Sequence, residues 1–266
     1  MSDDAPALPG SLRGPMTVLL FVTALLGGAL NAIGGGATFF VFPVLVFAGV
    51  APLTANVTSS VALFPASIAT SVAYRGGLDA PKRAIAYLAA ASAMGTLGGV
   101  LLLLHTPVRA FDRLVPWLLF AASLVFTFGA KVASKLAARH GVTLRPEGRA
   151  LWVATLAQVG IGVYGGYFGA GMGILMTAEL SLLGLRDMHS INALRSVLTM
   201  LINAVAVTLY VIAATVAWRP AVIMILGGVL GGYAGAAVAR RADPRHVRRF
   251  VVFIAWGMTA YFFIRR

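Results

Sequence analysis

The sequence predicts an all-α integral membrane protein, a polytopic helical bundle of two inverted repeats with broken or re-entrant helices and about 8–10 membrane segments. Three observations carry this reading. The composition is apolar and weakly charged, ten apolar segments alternate with basic loops, and two glycine-rich interruptions fall at matching places in the two halves.

Composition sets the class. Of the 266 residues, 59% are hydrophobic and only 11% charged, and the mean hydropathy is +0.90. A soluble domain is roughly half apolar and about a quarter charged. The formal net charge of +13 does not indicate a nucleic-acid partner, because the basic residues sit in loops between apolar runs, where topology-setting charges belong. The chain has no cysteine, which excludes disulfides, thiolate catalysis and thiolate metal sites.

With a span of about 20 residues in mind, the apolar segments run 16–33, 37–50, 54–74, 84–104, 114–131, 150–167, 171–185, 190–216, 220–239 and 248–264. The run from Met16 to Leu30 has the length of a signal-peptide core, and "GGALNA" resembles a weak cleavage site. The acidic start, Asp3 and Asp4, argues against cleavage. Segments 37–50 and 171–185 are short; the first covers ~21 Å as a helix, against a hydrocarbon core of about 30 Å. Each follows a glycine-rich, uncharged break.

The loops then fix an orientation. Arg75, Lys82 and Arg83 occupy one loop, Lys131, Lys135, Arg139, Arg145 and Arg149 a second, and Arg240, Arg241, Arg245, Arg248 and Arg249 a third. If each short segment and its predecessor return the chain to its starting side, all three loops face the cytoplasm, as the positive-inside rule prefers. Both termini then lie outside, and Arg265 and Arg266 are a modest exception.

The halves can be laid on each other. "GGGATFFVFPVLVFAGV" (34–50) matches "GAGMGILMTAELSLLGL" (169–185), pairing Gly34 with Gly169, Gly36 with Gly171 and Leu45 with Leu180. One residue of gap later, "NVTSSV" (56–61) meets "NALRSV" (192–197), and Tyr74 meets Tyr210. This divides the chain into a tail (1–15), a first repeat (16–131), a basic cytoplasmic linker (132–149) and a second repeat (150–266). Five segments per repeat is an odd number, so the second repeat sits inverted. Paired inverted repeats with glycine-interrupted short segments point to a secondary transporter with a site at the bilayer midplane. Irregular backbone at that depth is tolerated only where protein or a wet cavity satisfies it. The glycines free backbone N–H groups at a new helix start, and those groups and the helix dipole favour an anion.

At these residues the chain resembles the sulfite exporter TauE/SafE family of membrane permeases, within the 4-toluene sulfonate uptake permease-like superfamily. The resemblance rests on the first glycine-rich stretch followed by Pro43, on "GVAPLTANVTSS" (49–60), on the second glycine-rich stretch (165–173), and on "NALRSVLTMLINAVA" (192–206). It implies an all-helical transporter of two inverted halves, exporting sulfur-containing anions such as sulfite or organosulfonates like sulfoacetate across the bacterial inner membrane. The second half departs from the first in carrying Glu179, rather than a proline, within its short segment.

The candidate substrate-binding residues follow from the breaks and the segments after them. They are Asn31, Gly34, Gly35 and Gly36; Asn56, Thr58, Ser59 and Ser60; Gly169, Gly171 and Gly173; and Asn192, Arg195, Ser196 and Asn203. Hydroxyls at a helix start can simply cap it, but five polar residues within 54–60 exceed what a cap requires. Arg195 is the sharpest candidate, since a charged side chain within a spanning segment is a functional hypothesis by default. Its guanidinium fork suits an oxyanion. Pairing with Glu179 and snorkelling to the interface are the competing roles. Glu179, the only acidic residue well inside a segment, is a candidate for a coupling proton or for that ion pair. The expected partners are a small anion, the lipid bilayer and a coupling ion, proton or sodium. No cofactor, catalytic residue or metal site is expected: His105, His140, His189 and His246 have no metal-ligand spacing. An anion channel or a permease for another small anion is the alternative function. An intramembrane enzyme would need a nucleophile–base set at depth, which these residues do not supply.

Overall fold

The structure is a computed structural model that describes residues 14–33, 36–78, 80–140, 149–183, 185, 187–213, 216–239 and 244–265. Within those ranges the side chains at 32–33, 130–140, 149–150, 188, 236–239 and 244–248 lie outside the description. The same holds for the candidates Gly34 and Gly35, for the 1–13 tail, and for most basic residues of the second and third loops.

Among the described residues there are ten α-helices and no strand. They are α1 (Pro15–Ile33), α2 (Thr38–Phe47), α3 (Pro52–Tyr74), α4 (Lys82–His105), α5 (Val108–His140), α6 (Arg149–Tyr167), α7 (Met172–Leu182), α8 (Met188–Ala213), α9 (Trp218–Ala239) and α10 (Pro244–Ile264). The ten expected segments correspond to these helices in order. One boundary differs clearly. The expected segment 114–131 is part of a helix reaching from Val108 to His140, so the start of the expected linker is helical. The residues added at its C-terminal end, "VASKLAARH", are mostly the good helix formers Ala, Leu, Lys and Arg. Their charges end the apolar run without ending the helix.

By length and composition four stretches among the described residues can cross a membrane: Pro52–Gly77, Lys82–His105, Val108–Gly129 and His189–Ala213. Large apolar side chains such as Trp152, Leu156, Tyr233 and Phe253 are exposed on the outside of the bundle, as contact with lipid requires. This is a multi-pass membrane protein. The short helices are shorter than expected: α2 has 10 residues and α7 has 11, or ~15 Å and ~17 Å of length.

The helices pair across the chain. The first helix packs along the ninth, and the fourth along the sixth. Both pairs depend on glycine in place of a side chain. A Cβ on Gly231 would stand 1.9 Å from the Leu25 carbonyl oxygen, and one on Gly99 would stand 2.1 Å from that of Val163. Backbones come this close in membrane helices where small residues form the contact. The short helices are held differently. From α2, Phe39 packs edge-on against Phe126 of α5 with ring centroids 5.8 Å apart, and Phe42 against Phe168 at 5.7 Å. From α7, Met172, Met176 and Leu180 enter an aliphatic core with Leu88 of α4 and Ile191, Leu198 and Ile202 of α8.

Candidate functional site

Both breaks have left-handed backbone that glycine adopts without strain. Gly36 has φ 95°, Gly169 has φ 76° and Gly171 has φ 78°. Each turn starts a short helix, and no side chain caps α2 at Ala37 or α7 at Gly171. The turns themselves satisfy part of each first turn, since Phe39 and Phe40 donate to the Gly36 and Ala37 carbonyls and Met172 and Ile174 to those of Gly169 and Gly171, so it is the positive ends of the helix dipoles that face what lies ahead.

What lies ahead is one cavity of about 50 Å³. By the ~10–15 Å³ that a water needs, it has room for a few waters or one small ion. Gly36, Ala37 and Thr38 line it from the first break, and Phe168, Gly169, Gly171, Met172 and Gly173 from the second. Asn31 and Gly165 contribute from the ends of α1 and α6. The remaining wall is one face of α3, with Ser60, Leu63, Ser67 and Thr70, and one face of α8, with Arg195, Ser196, Thr199 and Asn203. The spacing along α3 and α8 is that of a single helical face. In the register read from sequence, Ser60 corresponds to Ser196, Leu63 to Thr199 and Ser67 to Asn203, so matched positions meet at one place.

Arg195 is 4% exposed and is the only charged residue among those described as lining the cavity. The hydroxyls are less available than their number suggests. Ser60 donates to the Asn56 carbonyl at 3.1 Å and Ser196 to the Asn192 carbonyl at 2.6 Å. Thr70 likewise donates to the Ala66 carbonyl. Thr199 faces only the Met176 sulfur at 3.5 Å, a weak acceptor. Among these hydroxyls its hydrogen bond is the most readily redirected to an incoming anion. The ready side-chain donors are thus Arg195, the Asn31 and Asn203 amides and Thr199, with the two helix dipoles beside them.

Of the sequence candidates, Asn31, Gly36, Ser60, Gly169, Gly171, Gly173, Arg195, Ser196 and Asn203 line this cavity. Asn56, Thr58, Ser59 and Asn192 are not in its lining. The Asn56 amide donates to the Tyr167 carbonyl at 3.0 Å, the Thr58 hydroxyl accepts the Ala217 N–H at 3.0 Å, and Ser59 donates to the Asn56 carbonyl at 2.8 Å. Asn192 is half-buried, with its carbonyl holding Ser196. Glu179 also lies outside the lining. It is 6% exposed, and neither carboxylate oxygen has a hydrogen-bond partner, so no hydrogen-bonded pair with Arg195 forms. Thr38, Thr70 and Thr199 escaped the sequence reading. The last two could have been found by continuing the helical face from Ser60 and Arg195.

The position of Arg195 depends on how α8 begins. Asp187, just before that helix, accepts both the N–H and the hydroxyl of Ser190 at 2.9 Å. The Ser190 backbone bond, more than any other contact, holds the Asp187 carboxyl below the usual carboxylate range. Arg195 follows about two turns later.

A family model described as Sulfite exporter TauE/SafE matches residues 20–262. A "Probable membrane transporter protein" of Haemophilus influenzae is 24% identical over 246 residues, covering 92% of this chain and 93% of its own length. The "Probable membrane transporter protein YfcA" of Escherichia coli K12 is 22% identical, covering 91% and 87%. The "Probable membrane transporter protein ORF9" of a Sinorhizobium species is 28% identical, covering 90% and 89%. No solved structure matches.

Proposed function

This chain belongs to the sulfite exporter TauE/SafE family and is a membrane transporter, and from that premise we propose that it exports a small sulfur-containing anion, sulfite or an organosulfonate such as sulfoacetate, across the bacterial inner membrane by alternating access. One observation carries the reading. Two uncapped helix starts and the buried Arg195 converge on a single small cavity, and no carboxylate is among the described residues lining it. Helix N-termini and a guanidinium attract the same kind of ligand, an oxyanion. The neutral amides and hydroxyls around them bind without trapping it.

Two inverted halves, 16–131 and 150–266, form the transporter on this reading, with the three basic loops in the cytoplasm. The crossed pairing of α1 with α9 and α4 with α6 supports it, because the first helix of each half packs on the fourth of the other. So does the meeting of register-matched residues of α3 and α8 at the cavity. Rocking one group of helices against the other would expose the site to each side in turn.

The test is thermal stabilisation of the purified protein by sulfite, sulfoacetate, taurine, sulfate, thiosulfate and acetate at matched pH and ionic strength. The expected result is a selective shift with sulfite or one sulfonate that Arg195→Ala removes. Equal shifts with all six anions, or none, would overturn the substrate assignment.

A further inference from the structure

The cavity is closed by different contacts at its two ends. It follows α3 from Ser60 to Thr70 and α8 from Asn203 back to Arg195, the halves of these helices nearest Tyr74 and His189. The two rings at that end lie 5.8 Å apart. The opposite halves, the start of α3 and the finish of α8, contribute nothing to the lining. There the two helices are tied to neighbouring backbone by three side chains. Asn56 donates to the Tyr167 carbonyl at 3.0 Å, Thr58 accepts the Ala217 N–H at 3.0 Å, and the Tyr210 hydroxyl donates to the Gly166 carbonyl. Two of the partners form the last turn of α6, immediately before the second break. The third is the residue just before α9.

We propose that Asn56, Thr58 and Tyr210 are gate residues, closing the anion cavity at the end where α3 begins and α8 finishes, and that passage requires their three bonds to break together. The inference rests on the transporter reading and gives these residues a different role within it. Asn56 and Thr58 hold the barrier, and the anion is held by the other group. The arrangement suits a reversible closure. Each bond joins a neutral side chain to backbone, so no buried ion pair has to be separated. The Asn56 Oδ1 is buried without a partner, so the closed state leaves one amide acceptor unsatisfied and is not a one-way trap. Tyr210 is 1% exposed, so its ring fills the same end that its hydroxyl ties down.

The chain lacks cysteine, which permits a direct test without any substrate. A Ser60→Cys reporter is placed in the cavity and labelled by a membrane-impermeant thiol reagent in sealed vesicles of each orientation. Labelling is expected to be faster from the Tyr74 end. In a second protein, Thr58→Cys and Ala217→Cys are joined by oxidation, or by a short bis-thiol linker, after the reporter position is returned to Ser and replaced by a fluorophore-free anion-flux readout. Joined protein is expected to lose at least tenfold in sulfite flux, keep its sulfite-induced thermal shift, and recover flux when the disulfide is reduced. Tyr210→Phe, which removes only the hydroxyl, is expected to raise reporter labelling from the Tyr210 end several-fold. Equal labelling from both ends that Tyr210→Phe leaves unchanged would overturn the gate, as would undiminished flux in the joined protein. Failure of sulfite to bind would instead count against the substrate reading, because the labelling arm does not depend on it.

Discussion

The two helices that face each other across the cavity start from closely similar sequence and end in different chemistry. In α3 the stretch is "NVTSSV" and in α8 it is "NALRSV". The shared serines behave alike: Ser60 and Ser196 both line the cavity and both donate to the carbonyl of the asparagine four residues earlier. Of the three positions that differ, the pair Ser59 and Arg195 separates the two walls. Ser59 is turned onto the Asn56 carbonyl and is absent from the lining, whereas Arg195 reaches into it. The two walls share their serine positions, and one departure from the sequence match supplies the charge. The α3 wall is neutral and the α8 wall carries the charge.

The largest effect expected from breaking this contrast comes at its unmatched position. Arg195→Ala removes charge-assisted hydrogen bonds of about 1.5–3 kcal/mol, a fall in anion affinity of roughly 10- to 150-fold. Ser59→Ala, at the corresponding place in α3, should change affinity by less than about twofold, since that buried hydroxyl is bonded to the Asn56 carbonyl and lies outside the cavity lining. Arg195→Lys keeps the charge and loses the planar fork, so it should fall between the two. Titration of each purified variant with sulfite by calorimetry checks all three. Comparable losses in Ser59→Ala and Arg195→Ala would remove the asymmetry.

A smaller effect sharpens the matched part. A serine hydroxyl has one proton, and in both Ser60 and Ser196 that proton is already bonded to a carbonyl. Binding an anion would only exchange one acceptor for another. Ser60→Ala and Ser196→Ala should each cost about 0.5 kcal/mol, near the lower end for a neutral hydrogen bond, or roughly two- to threefold in affinity. The two losses should be equal within error in the same titration. A tenfold difference between them would mean that the matched positions are not equivalent in use.

The contrast also marks what could be read before the structure. The breaks were legible because glycine clusters are conspicuous in a lipid-length apolar run, and Arg195 because charge at that depth is costly. The polar cluster at 54–60 was legible as a cluster and not as separate roles. Asn56, Ser60, Leu63 and Ser67 share a helical face, so periodicity groups Asn56 with the cavity wall. Only the tertiary placement of Tyr167 and Ala217 puts Asn56 and Thr58 at the tied end. Thr199 was overlooked for the opposite reason. Its partner in the first half is Leu63, and a search for matched polar pairs passes over a site with one polar member. Glu179 was conspicuous as the lone interior acid, but its chain position could not reveal that it stands outside the cavity lining, without hydrogen bonds.

The smallest expected effect lies at the entrance of the charged helix. Asp187 caps α8 through Ser190, and its carboxyl is held below the usual carboxylate range by those bonds, the backbone one foremost. A carboxyl whose folded pKa is depressed contributes stability that is present above its unfolded value, near the model-peptide ~3.9, and is lost as pH falls through the folded value. Asp187→Ala should therefore lower the melting temperature slightly at pH 7, and the gap to wild type should close as pH falls below about 4. Asp187→Asn keeps a neutral cap and loses the charge, so it should fall between wild type and Asp187→Ala at pH 7 and lack the pH-dependent part of the contribution. Melting curves of the three proteins from pH 7 downward measure this. If Asp187→Asn is as damaging as Asp187→Ala, the contribution of Asp187 is its charge and not its cap. The Arg195 wall would then be positioned by electrostatics at the helix start, and the neutral α3 wall would have no counterpart to that device.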